Sequence, residues 1–472
     1  MKKTWICLLT LAMGVVCFWS AGAEQSSTVR TEISGQDAAQ SSGTSEDEWV
    51  VLTVSAGKDT KPEQKEEKTP GVQSRPAGIV ILQEEENPAN PPDAAVTAPG
   101  NSEKPESTPI PGPTPEPQHI STPKAQPGEG EKIITLSFTG DVTLGSEEVN
   151  ASKENSFHGY ALREGYGWFF KNMIDLFSTD DLTLVNLEGV LSDSPMMEDT
   201  RKTFRFRGPT DFARILTSSY IEACAVSNNH VMDFGRQGYE STLRTLKLYG
   251  LQFCGNERCF VFEKDGIKIA FFALGSTYFF TYAQKVQEAI AQLRREGVNA
   301  VVCSFHAGQE YASRRRDRDQ ERFAKIAVRD WGADLVVMHH PHVLQGIDVL
   351  DDRYVFYSLG NFCFGGNMTI RASEKDRRVR TLETMVLQMD LHFSQEGAFL
   401  GQEGRIYPCY ISSSAHRVND PNDFQPKFVT GAEAQGVIDR IQYDTGFPLE
   451  AMDEEGGYVP LPYLKAPART EE

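Results

Sequence analysis

Residues able to hold divalent cations or move protons recur between positions 141 and 342: Asp141, Glu188, Asn229, His230, His306, His340 and His342. Carboxylate, amide-oxygen and neutral imidazole donors suit borderline ions such as Zn, Mn or Fe(II). Two such ions about 3.5–4 Å apart activate water and neutralise charge on a phosphoryl group during in-line displacement. His340-Pro341-His342 is expected to set two imidazoles on one side of an extended segment, since side chains alternate along a strand, so each can serve one of two ions. Glu188 is a candidate bridge between them. His230, next to Asn229, would then protonate the leaving oxygen, with Asp233 orienting its ring. Singly, each has a structural reading: Asp141 after Gly140 can cap the next segment, and His306 can be a hydrogen-bonded core histidine. The order of the whole set is what points to a metal site.

The elements that must position these groups are legible as apolar runs. Ile133 to Phe138, Leu182 to Leu187, Ala223 to Ser227, Ala300 to Phe305, Asp334 to Met338 and Arg353 to Leu359 read as strands. Helical spacing falls at Trp168 to Phe177, Phe212 to Tyr220, Tyr239 to Tyr249, Ala283 to Arg295 and Asp317 to Trp331. Phe260 to Leu274 reads as a hairpin turning at Asp265-Gly266. Alternating strands and helices imply an α/β fold. The candidate ligands lie just past the C-terminal ends of strands, the edge at which open α/β sheets collect ligands. The aromatic run Tyr278-Phe279-Phe280 reads as core or pocket wall, and Arg314-Arg315-Arg316 as a solvated turn.

The rest of the chain is organised differently. Of 472 residues, 66 are acidic and 47 basic, a net charge of −19 that repels phosphate backbones and argues against a nucleic-acid partner. Lys2 and Lys3, the uncharged stretch to Trp19 and Ala21-Gly22-Ala23 have the order of a secretory signal, so 1–23 is expected to be a signal peptide, with an uncleaved membrane anchor as the alternative. Either address puts the remainder outside the cytoplasm, extracellular or at the cell surface. Residues 24–130 hold 15 of the 25 prolines and 18 acidic against 8 basic residues, and are expected to be a disordered Pro/Glu/Ser/Thr-rich linker. Within it, Trp49 to Val54 and Gly78 to Leu82 are apolar patches read as loop noise, with transient strands or docking sites as the alternatives. Six cysteines follow the signal; Cys254 and Cys259 are the expected local disulfide and Cys303 a buried thiol. Beyond about Ser412, residues 413–472 are expected to form a C-terminal extension with one helix, Ala432 to Gln442.

Six ordered blocks carry a family resemblance over about residues 133–412, the domain itself being set at 131–412. They are Phe138-Thr139-Gly140-Asp141, Asn186-Leu187-Glu188, Ser227-Asn228-Asn229-His230 with Asp233 and Gly235, His306-Ala307-Gly308-Gln309-Glu310, His339-His340-Pro341-His342-Val343-Leu344-Gln345, and Tyr357-Ser358-Leu359-Gly360-Asn361-Phe362. The sequence resembles the CapA-type poly-γ-glutamate capsule biosynthesis proteins, a branch of the calcineurin-like metallophosphoesterases. That resemblance implies a four-layer αββα metallophosphoesterase-like sandwich. It also implies two divalent metal ions held by Asp141, Glu188, Asn229, His306, His340 and His342, with His230 as a general acid rather than a ligand. Two positions depart from the wider superfamily: Thr143 stands where its first block has histidine, and Glu188 where its second has aspartate. The reading that follows is an exported metal-dependent, phosphoesterase-like hydrolase acting on an anionic cell-envelope or capsule-related substrate beside membrane-bound capsule synthesis proteins. Its rival is a non-hydrolytic capsule polymer assembly, export or anchoring factor on the same fold.

Overall fold

The computed structural model describes residues 49–55, 79–82, 125, 127–128, 130–195, 197–314, 318–372, 380–453 and 457–467. The region expected to be a signal peptide, and most of the expected linker, lie outside them.

Two sheets face each other across one apolar core, a mixed α/β sandwich. In the first, Lys132–Thr143, Leu182–Leu187, Ala223–Ala225 and Gln252–Cys254 run parallel side by side, and the antiparallel pair Glu383–Phe393 and Phe399–Tyr410 extends it on the other side of Lys132–Thr143. In the second, Ile267–Gly275, Ala300–His306, Leu335–His339 and Arg353–Phe356 are parallel neighbours, flanked by the antiparallel Arg258–Lys264 and Ile347–Leu350. Between the sheets pack Leu136, Phe138 and Leu184 from one side and Phe271, Val302 and Val337 from the other. The outer face of the first sheet is covered by Phe169, Leu216 and Leu246, and that of the second by Phe279, Ile290 and Phe323. Strands buried on both faces read as continuous apolar runs, which is why the parallel ones were visible in the sequence.

Parallel register aligns the strand ends. Asp141 lies opposite Asn186, Gly275 opposite His306, and His306 opposite His339. Consecutive parallel strands therefore deliver their last residues to one edge. Gly140 is required there, because a Cβ would lie 2.3 Å from the Gly360 carbonyl oxygen, which accepts the Asp141 N–H at 2.9 Å.

Several expectations change. Trp168 to Phe177 is not one helix: a 3-10 turn, Tyr166–Trp168, ends at its start and only the four residues Ile174–Phe177 are α-helical. Phe212 to Tyr220 stops at Thr217. The helix expected at 317–331 begins at Arg318 among the described residues and widens into a π turn over Ile326–Asp330. The hairpin at Asp265-Gly266 and the Gly250 stop are observed, Gly250 at φ 72°. Trp49–Ser55 is a strand, parallel to Arg258–Lys264, and Ile79–Leu82 pairs with it, so the loop-noise reading of these patches does not hold. The expected Cys254–Cys259 bridge is absent: all six cysteines after the signal are free and buried. Cys254 lies in the inter-sheet core and Cys259 on the outer face of the second sheet, so their side chains depart to different layers. Residues after 412 contribute Gly431–Asp444, whose Val437 and Ile441 enter the inter-sheet core, and Val459–Lys465, paired with Phe399–Tyr410.

Candidate metal centre

Asp141 is the hub. It is fully buried and accepts Asn186 Nδ2 at 2.8 Å on Oδ1 and the His340 N–H at 3.3 Å on Oδ2. His339 Nδ1 stands 3.4 Å from Oδ1 and His342 Nδ1 3.3 Å from Oδ2. Glu188 follows the strand Leu182–Leu187, anchored by its N–H to the Val142 carbonyl at 2.8 Å. Its Oε1 lies 3.4 Å from His306 Nε2, 3.8 Å from His230 Nε2 and 3.9 Å from His342 Nε2. Both Glu188 oxygens are buried without a hydrogen-bond partner. An ionised carboxylate so placed costs several kcal/mol, unless a cation completes it.

Donor atoms gather in two groups that share Glu188: Asp141, Glu188 and His342, and Glu188, His306 and His340, each with its atoms within 4.8 Å of one another. Asn229 Oδ1 joins the second, 2.8 Å from His306 Nε2, and His340 Nδ1 is 3.0 Å from the same nitrogen. Such a donor set is compatible with divalent metal, with the Glu188 carboxylate common to both groups. His230 lies to one side: Nδ1 is 2.7 Å from Asp233 Oδ2, leaving Nε2 toward Glu188. Asp233 is fixed in turn by Lys202 Nζ at 2.7 Å and the Phe206 N–H at 2.9 Å.

The electrostatics are those of a crowded, dry cluster. Burial raises the Asp141 carboxyl, but His339 and His342 outweigh it and hold it well below the usual carboxylate range. Burial and then the Asp141 charge push Glu188 up to about 7. Burial pulls His342 down, yet Glu188 and Asp141 carry it up to about 9. Burial, then His306 and His342, lower His340 to about 3, and burial takes His306 well below its ordinary value. His306 and His340 are thus held in the neutral form that ligates a metal, whereas His342 would release its proton on ligation.

All eight residues singled out in the sequence, Asp233 included, are brought to this edge. One expectation about their backbone fails. The strand ends at His339, and His340 and His342 sit in a turn with φ of 100° and 58°, so their convergence (ring centroids 5.9 Å apart) comes from left-handed turn geometry, not strand alternation. Sequence reasoning missed Asn186, which ties Asp141 to His306 (3.2 Å to Nδ1), and Asn361, whose Oδ1 is 2.9 Å from His342 Nδ1. It also passed over His339, and Glu310, whose carboxylate groups with His340 and His342 within 4.8 Å. Asn186 was recoverable, since it precedes Glu188 by two on one strand face.

Residues 135–366 match the family model described as bacterial capsule synthesis protein PGA_cap. The chain is 28% identical over 271 residues to the capsule biosynthesis protein CapA of Bacillus anthracis, covering 51% of this chain and 62% of that protein, under two thirds of its length. It is 26% identical over 291 residues to the PGA biosynthesis protein CapA of Bacillus subtilis, covering 57% and 70%. A probable polyglutamine synthesis accessory protein of Mycobacterium tuberculosis matches at 36% over 75 residues, 16% of this chain and 20% of that one. The matched region holds every residue of the candidate centre.

Proposed function

We propose that this CapA-type chain is an exported metal-dependent hydrolase, phosphoesterase-like, acting on an anionic cell-envelope or capsule-related substrate. The observation that carries the reading is Glu188: a buried carboxylate with both oxygens unpartnered, common to two groups of donors. Asp141, Glu188 and His342 would hold one ion, and Glu188, Asn229, His306 and His340 the other. When bound, a pair of ions supplies Lewis-acid neutralisation of a phosphoryl oxygen and activation of water. The chain supplies the rest. Asp233 accepts the His230 Nδ1–H and orients the ring, so that the imidazolium form presents its second proton, on Nε2, to the leaving oxygen. Phe206, with its ring 4.7 Å from the His230 ring, walls that side against water. The sandwich is read as the four-layer αββα metallophosphoesterase-like arrangement. Domain bounds of 131–412 for the catalytic head, export through residues 1–23, a spacer over 24–130 and work beside membrane-bound capsule synthesis proteins complete the proposal. Among the described residues no helix is long and apolar enough to cross a membrane.

One observation favours the rival, a non-hydrolytic assembly, export or anchoring factor. The Thr143 hydroxyl accepts the Gly365 N–H at 2.6 Å rather than facing the centre, so the Asp141 group has one donor fewer than the wider superfamily's pattern. Metal analysis of the purified chain with assays on a simple phosphomonoester and phosphodiester separates the two. Bound metal with activity lost in Asp141→Ala and His340→Ala is expected; activity retained in both variants overturns the site.

A further inference from the structure

The reaction just proposed uses the metal donors and His230 but leaves one feature of the same mouth without a task. The Tyr311 N–H donates to the Pro341 carbonyl at 2.8 Å, between His340 and His342, and the Tyr311 ring lies 6.0 Å from the His342 ring. Burial raises the Tyr311 phenol, and the Arg371 guanidinium beside it acts in the opposite direction. That guanidinium also stands 5.9 Å over the ring of Phe204, itself 41% exposed. Phe204 belongs to the loop that places Phe206 against His230 and Lys202 on the Asn229 carbonyl (2.5 Å) and Asp233. Arg371 is pinned in the backbone by Thr381, its N–H donating to Oγ1 at 3.0 Å and its carbonyl accepting the Thr381 N–H at 2.9 Å. An arc therefore runs round the mouth from His230 through Phe206, Phe204 and Arg371 to Tyr311 and His342.

A planar cation set over an aromatic ring and beside a phenol is suited to bidentate contact with an oxyanion. The acid on the same rim, Glu310, has its carboxylate within 4.8 Å of donor nitrogens of His340 and His342, on the metal side of the arc.

We propose that Arg371, steadied by Tyr311 and Phe204, binds a second anionic group of the substrate, next to the one that reacts, and so selects a chain of repeating oxyanions over an isolated ester. The inference rests on the reading of the centre as a substrate site. Its shared chemistry, a carboxylate or phosphate one unit along a chain, has two sources that the test separates: an oligo-γ-glutamate and an oligo(glycerol phosphate).

The experiment measures calorimetric binding of each oligomer to the Mn-loaded full chain, alongside hydrolysis of bis(p-nitrophenyl) phosphate. One oligomer is expected to bind, and Arg371→Ala to weaken it about 10- to 100-fold, the range for hydrogen bonds to a charged group. Metal content and kcat on the small diester should stay within about twofold, with Arg371→Lys recovering part of the binding. Equal binding of both oligomers by wild type and Arg371→Ala overturns the inference, as does parallel loss of metal and kcat, which marks a structural role. Arg371-dependent binding without hydrolysis sinks the hydrolase and keeps the inference; hydrolysis of the diester with neither oligomer bound does the reverse.

Discussion

Replacing Glu188 by Gln keeps the shape of the side chain and removes its charge, and the structure gives opposite signs for that change with and without metal. In the metal-free chain Glu188 is an ionisable group at about 7 when folded and about 4.3 when unfolded. A raised acid holds its proton in the folded state, so stability is intact below about pH 4 and falls as pH rises towards 7. The gap is between two and three units at about 1.4 kcal/mol each, a penalty of a few kcal/mol above pH 7. His342, raised to about 9 by Glu188 and Asp141, offsets part of it; that contribution is present below about 6.5 and lost through 9, and the Glu188→Gln variant would forfeit the share that the Glu188 charge supplies. The net gain for Glu188→Gln at pH 8 in EDTA is about 1–2 kcal/mol, a Tm rise of about 2–5 °C. With excess Mn or Zn the order reverses. Each ion at 100 times its Kd stabilises wild type by about 2.7 kcal/mol, and both donor groups lose their common anionic carboxylate in the variant. Scanning calorimetry at pH 5 and pH 8, with EDTA or with metal, and elemental analysis of the dialysed protein give the comparison. A variant that keeps two ions at wild-type affinity, or that melts below wild type in EDTA at pH 8, refutes the argument.

Two further outcomes follow from other parts of the molecule. Asp233→Asn and His230→Ala should leave metal content unchanged while lowering kcat on an alkyl phosphodiester about 10²–10⁴-fold, and a p-nitrophenyl ester, whose leaving group needs no proton, should suffer far less; equal losses on both substrates would remove His230 from the acid role. Away from the centre, burial raises Asp180 to about 8 and Glu222 to about 7, so the folded chain retains protons that the unfolded chain sheds between about pH 4 and 8, and stability falls as pH rises across that window. Asp180→Asn should flatten the Tm–pH curve there by one titrating group, and a curve parallel to wild type would contradict the burial account.

What the sequence exposed and what it hid divide along physical lines. Strands such as Leu182–Leu187 and Ala300–His306 are buried on both faces and read as apolar runs, so their ends, and the donors just past them, could be placed. The antiparallel pair Glu383–Phe393 and Phe399–Tyr410 is equally buried but carries Gln388, Asp390 and His392, which break the run. Those polar groups are paired inside the fold: Asp390 accepts Thr135 Oγ1 at 2.7 Å and Arg405 Nη2 at 2.6 Å. No strand was expected there, and the polar residues that interrupt the run include a satisfied core pair. The His-Pro-His turn failed differently, because a positive φ at a histidine has no signature in residue types. Long-range pairing hid Trp49–Ser55, whose partner Arg258–Lys264 lies some two hundred residues on.

The departure at Thr143 has a structural cause that bears on the chemistry. Asn361–Phe364 runs parallel to the end of Lys132–Thr143, with Asn361 opposite Asp141 and Phe364 opposite Thr143. The chain then continues through Gly365, whose N–H is taken by the Thr143 hydroxyl and where a Cβ would collide with the Gly145 carbonyl. A histidine at 143 would need the room that this backbone fills. The strand that excludes it also carries Asn361 into the centre, with Oδ1 on His342 Nδ1 at 2.9 Å and Nδ2 buried without a partner. The neighbouring strand thus brings an amide to the Asp141 side whose oxygen is taken up by His342, and the group stays one donor short of the wider pattern.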